Sequence, residues 1–132
     1  MTDLEFYTVL SAMWLSIAWL PYILDRIMVR GLFGALANYS TEAIPQSAWA
    51  QRAQRAHIVA VEAFVVYVPL AILTMIKMPD DALAGTLAFA FFAGILAHYI
   101  IYVLGLIVLR TLAFCVAFLS SFGLGLNLLG VI

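Results

Sequence analysis

Four long apolar runs separated by brief polar breaks set the pattern of this 132-residue chain. The first uncharged stretch runs from Phe6 to Leu24 and closes on Pro21, Tyr22 and the Asp25–Arg26 pair. The second, His57 to Ile76, is interrupted by one carboxylate, Glu62. The third and fourth run from Ala82 to Leu109 and from Thr111 to Ile132, with Arg110 the only charge between them. A helix needs about 20 apolar residues to cross a bilayer, and each run supplies them. Strands are excluded, because single spans cannot pair their backbone in lipid and the runs lack the alternation of barrel strands. The pattern therefore predicts an all-α, integral membrane four-helix bundle in one domain, with spans at about 6–24, 57–76, 82–109 and 111–132.

The longest polar segment, about 25–54, joins the first two spans. Its first half keeps an apolar helical pattern (Ile27, Leu32, Phe33, Leu36), so the first helix is expected to continue past the headgroups. Asn38, Tyr39, Ser40 and Thr41 then break the pattern, and Pro45 marks a turn. Ser47 is the expected N-cap of a second helix that starts before the membrane and carries Arg52 and Arg55 into the interface. Lys77 to Asp81 forms a tight turn.

Composition agrees with lipid as the solvent. The chain is 67% hydrophobic and 10% charged, with a mean hydropathy of +1.13. A water-soluble domain of this size needs more charge on its surface. A net charge of -1 gives no reason to expect nucleic acid. The single cysteine, Cys115, excludes an internal disulfide. Asp3 and Glu5 at the start argue against a cleaved signal peptide. Arg26, Arg30, Arg52, Arg55 and Arg110 fall on one side of the four-span arrangement, with only Lys77 on the other. The positive-inside rule then places the long loop in the cytoplasm and both termini outside. Brevity and terse loops suggest a bacterial inner membrane.

Small residues recur at helical spacing: Ala113, Ala117, Ser121 and Gly125; Ala90 and Gly94; Ala53, Ala56, Ala60 and Ala63. Such ladders allow close helix approach within a bundle, and contacts between subunits are expected for at least one of them. Among polar groups, Glu62 is the most informative. A bare carboxylate at that depth is costly and needs protein or a wet cavity beside it. Arg55, seven residues earlier, shares its helix face about 10 Å away. The bland alternative is a helix-pinning hydrogen bond or a protonated, neutral Glu62. His98 and Tyr102 share a face of the third span, and a Tyr102 hydroxyl contact to Glu62 is feasible by depth. Taken alone, His98 and Tyr102 also fit as satisfied packing residues. Arg110 serves equally as a topological anchor or as a guanidinium at the mouth of a cavity, able to stabilise an anion or lower a thiol's pKa; Arg52 and Arg55 have the same two readings. No metal site is expected, because His57 and His98 have no further ligand at a recognisable spacing.

The run Gln51-Arg52-Ala53-Gln54-Arg55-Ala56-His57-Ile58-Val59-Ala60-Val61-Glu62, with His98-Tyr99-Ile100-Ile101-Tyr102 and Leu109-Arg110-Thr111-Leu112, resembles the MAPEG family, the membrane-associated proteins in eicosanoid and glutathione metabolism. The resemblance implies a homotrimer with glutathione bound between subunits near the cytoplasmic face. It implies that Arg55 and Glu62 hold glutathione, that Tyr102 belongs to the site, and that Arg110 activates the thiol for attack on an apolar electrophile in the bilayer. Arg52 and His98 join the candidate ligand-binding set. Two positions depart from the catalytic pattern: Val59 stands where an asparagine is usual, and Ile95 where an arginine is usual one turn before His98. These replacements leave open an accessory subunit of a larger membrane complex, or a protein that holds a lipid or quinone between its helices. A small transporter is disfavoured, since no broken helix pair or inverted repeat is visible.

Overall fold

The computed structural model describes all 132 residues and is helical throughout, without strands. Helix α1 (Asp3–Ile17) starts from a reciprocal cap in which the Glu5 N–H donates to the Thr2 hydroxyl and the Thr2 N–H donates to the Glu5 carboxylate. Two donors that a helix start leaves free are thereby satisfied. The chain bends at Ala18–Trp19 and continues as α2 (Leu20–Leu36), with Pro21 in its first turn. Pro21 has no N–H for the carbonyl of Ile17 and crowds it, which breaks the ladder. The carbonyls of Leu15, Ser16 and Ala18 then take side-chain donors. His57 Nε2 reaches Leu15 at 3.0 Å, Trp19 Nε1 reaches Ser16 at 2.8 Å, and the Tyr99 hydroxyl reaches Ala18 at 2.9 Å. Backbone acceptors within a bilayer have no water to turn to, so these three bonds hold the bend.

A second irregularity lies inside α2, where Gly31 adopts φ 71 and ψ 169 and redirects the last turn. Beyond the loop come α3 (Ala48–Lys77), α4 (Ala82–Leu104) and α5 (Ile107–Leu128). Four helical segments are long and apolar enough to cross a membrane: Asp3–Leu36, which is α1 and α2 together, then α3, α4 and α5. Ser47 is the residue preceding α3, as expected, but its hydroxyl forms no cap. The buried Asp25 carboxylate accepts the Ser47 N–H at 3.0 Å instead.

Helix α4 is central and touches α1, α3 and α5. Its buried face is built from Ala84, Gly85, Ala88, Phe91, Gly94, Ile95, His98 and Tyr99. Small residues let the backbones close in: a Cβ on Gly94 would stand 2.8 Å from the Ala117 nitrogen. Tyr67 of α3 stacks on Phe91 with centroids 3.9 Å apart, and its hydroxyl pairs with that of Thr8 at 2.8 Å. Toward the loop-bearing end, Ala50, Ala53 and Ala56 close against Ala18, Tyr22 and Tyr99. Thus Ala53, Ala56, Ala60, Ala113 and Ala117 are buried within one chain.

The third and fourth spans divide earlier than the charge pattern predicts. Gly105 ends α4 in a left-handed cap (φ 82), with the Leu106 N–H bonded to the Ile101 carbonyl at 3.2 Å. Glycine tolerates this conformation, which makes it the stop signal, whereas Arg110 is a helical residue in the first turn of α5.

Candidate functional site

Arg52, Arg55, His98, Tyr102 and Arg110 gather at the loop-bearing end, while Glu62 lies midway along α3, so the candidate residues do not form one cluster. Arg52 is engaged in structure: its Nε donates to the Val103 carbonyl at 3.0 Å, and its guanidinium lies against Gly105. It neutralises the open carbonyl end of α4, where a cation is favoured. His98 is also buried and committed. Its Nδ1 lies 2.9 Å from the Arg110 carbonyl, which can only accept, so Nδ1 carries the proton and Nε2 is left buried without a partner. The imidazole meets Tyr102 edge-on and lies beside Phe114.

Arg110 and Tyr102 do meet. The guanidinium carbon sits 4.2 Å from the centre of the Tyr102 ring, a cation–π contact across the α4–α5 junction. The Tyr102 hydroxyl forms no bond to Glu62. With α4 ending at Leu104, Tyr102 belongs to its last turn at the loop-bearing end, whereas Glu62 lies midway along α3, so the two do not share a depth.

Glu62 and Arg55 are exposed on one face of α3. Glu62 lines a cavity of about 280 Å³ between α3 and α5, with Val59, Ala63, Val66, Phe114, Phe118 and Ser121. An adjoining apolar cavity of about 200 Å³ shares Val66, Phe118 and Ser121 and extends to Leu129, so the two form one groove. Arg110 lies one turn before Phe114 on α5 and Arg55 one turn before Val59 on α3, so both stand on the loop-bearing side of the groove without lining it. The groove is apolar along its length and charged at one end.

The two departures occupy different environments. Val59 lines the groove beside Glu62. Ile95 is 1% exposed in the core between helices, turned away from it.

Sequence reasoning passed over a polar knot beside the bend. His57 Nε2, facing the Leu15 carbonyl, must carry the proton, and Nδ1 then accepts from the Tyr22 hydroxyl at 2.9 Å. Gln46 ties the loop to α2 by donating to the Tyr22 carbonyl and to Asp25. The Pro21 break was the available signal, since a broken ladder requires donors from elsewhere.

Fold and groove together define a four-span helical membrane protein with a charged groove mouth. The signature of the MAPEG family matches residues 4–130, and the chain belongs to that family. No curated protein and no solved structure matches it.

Proposed function

We propose that the chain works as a homo-oligomer, a trimer by family resemblance, in which a second copy closes the Glu62 groove and completes a glutathione-binding site. The observation carrying this reading is the exposure of Glu62 on an apolar face midway along a 30-residue membrane-spanning helix. A lone carboxylate against lipid tails is strongly disfavoured, and covering it with protein removes that conflict. Arg55 and Glu62 supply opposite charges about two turns apart, which suits a zwitterionic peptide. Arg110, held over Tyr102, supplies a cation at the mouth that favours thiolate over thiol. The apolar remainder of the groove suits a hydrophobic electrophile arriving from the bilayer. The activity is then that of a glutathione transferase: the thiolate sulfur bonds to the electrophilic carbon as the leaving group departs with its electron pair. The arginine-rich loop end is assigned to the cytoplasm by the positive-inside rule.

A second reading, a non-catalytic subunit of a larger membrane complex or a lipid- or quinone-holding protein, is favoured by Val59. An aliphatic side chain beside Glu62 offers no hydrogen bond to a peptide ligand. Titration of the purified protein with glutathione decides between them. The transferase reading expects millimolar or tighter binding that is lost in Arg55→Ala and Glu62→Ala. No binding up to several millimolar overturns it and leaves the second.

A further inference from the structure

Outside that groove, the connection between α2 and α3 encloses a polar cavity of about 420 Å³ lined by Arg26, Arg30, Asn38, Gln46, Gln51 and Gln54 among others. Both arginines are tethered through Nε to neutral oxygens: Arg26 to the Gln46 amide at 3.3 Å and Arg30 to the Ile44 carbonyl at 2.6 Å. Tethering at Nε fixes each guanidinium while leaving its terminal nitrogens to donate, the arrangement that binds phosphate by paired bonds. Gln46 and Gln51 are spent on the loop itself, Gln51 donating to the Gln46 carbonyl at 2.7 Å. Asn38 and Gln54 are lining amides whose side chains make no hydrogen bond inside the chain. Two acids lie nearby. Asp25 turns its carboxylate to the start of α3 through Ser47 and Gln46, and Glu42 is exposed on the loop outside the cavity lining.

An exposed apolar segment adjoins the cavity. Beyond the Gly31 bend, α2 presents Leu32, Phe33 and Leu36 to the outside, with Met28 one turn before; Phe33 is 87% exposed. Large apolar side chains bare to this degree beside two arginines have the character of a segment lying at the level of lipid headgroups.

We propose that this cavity binds an anionic phosphate ester, with Arg26 and Arg30 gripping the phosphate and Asn38 and Gln54 donating to its ester or hydroxyl oxygens. A lipid headgroup and a soluble phosphate ester share this chemistry, and the experiment separates them. The purified full-length protein, delipidated in neutral detergent, is titrated with phosphatidylglycerol, phosphatidylcholine and glycerol 3-phosphate. Saturable binding of phosphatidylglycerol, stronger than that of phosphatidylcholine and weakened about tenfold or more in Arg26→Gln/Arg30→Gln, is expected. Lipid binding that millimolar glycerol 3-phosphate does not displace assigns a headgroup site; direct binding of glycerol 3-phosphate, lost in the same variant, assigns a soluble ester. Unchanged binding in the folded double variant overturns the proposal, as does an equal loss in Lys77→Gln at the opposite end. If circular dichroism shows the arginine variant unfolded, Asn38→Ala/Gln54→Ala leaves both tethers in place and must weaken binding severalfold; undiminished binding there also overturns it.

Discussion

The imidazole of His98 donates through Nδ1 to the backbone carbonyl of Arg110, 2.9 Å away, across the junction between α4 and α5. The bond fixes the first turn of α5, while the Arg110 side chain lies over the ring of Tyr102, the neighbour of His98 on the same face of α4. A histidine that resembles a ligand residue in the sequence thus acts on the position of the candidate thiol-activating arginine.

Replacing His98 by Phe keeps an aromatic ring and removes the donor. Loss of a bond to a buried carbonyl costs about 1–3 kcal/mol, so His98→Phe is expected to destabilise the protein by that amount. Denaturation in mixed detergent micelles measures it, and a variant as stable as the parent would show that the bond holds nothing.

Gly94 supports the same junction by its lack of a side chain. A Cβ there would stand 2.8 Å from the Ala117 nitrogen and 3.2 Å from the Ala113 carbonyl oxygen, and neither backbone atom can swing aside. Gly94→Ala must therefore separate α4 from α5 and is expected to cost about 1–3 kcal/mol, as overpacking does. The control is Gly125→Ala, whose Cβ meets nothing within 4 Å and is expected to change stability little.

Gly31 is a different case, because its added Cβ would also meet nothing within 4 Å. The constraint is its backbone, at φ 71 and ψ 169, a region open essentially to glycine alone. Gly31→Ala is expected to cost about 1–3 kcal/mol through strain, or to straighten the end of α2. Protease accessibility of the 37–47 loop, compared before and after the substitution, registers the second outcome.

Spans and class were legible because the demand for about 20 apolar residues is met four times, and no other solvent suits such a chain. Boundaries were less so. Arg110 looks like punctuation by charge, yet Gly105 ends the helix because a left-handed cap is a backbone requirement that hydropathy does not register. Glu62 was legible as exceptional from its depth alone. Its outward direction was not, since four spans of similar hydropathy leave the facing of each helix undecided. The roles of Arg52 and His98 depend on carbonyls at Val103 and Arg110, which no pattern of side chains reveals.

At the opposite end, Asp81 caps α4 by accepting the Leu83 N–H and receives the side-chain amide of Asn127. The Asn127 amide, more than the backbone N–H groups of Leu83 and Ala84, holds the Asp81 carboxyl below its ordinary value of 3.8, against a smaller opposing effect of burial. A carboxyl whose folded value lies below its unfolded one stabilises the fold above the unfolded value, and loses that contribution as pH falls through the folded value. Stability is therefore expected to hold from neutral pH down to the ordinary carboxylate range and to decline below it. In Asn127→Leu the part of that decline owed to Asp81 shrinks, because the folded and unfolded values draw together. Thermal melting at a series of pH values between neutrality and strong acid compares the two proteins; parallel curves throughout would mean that the Asn127 amide does not act on Asp81.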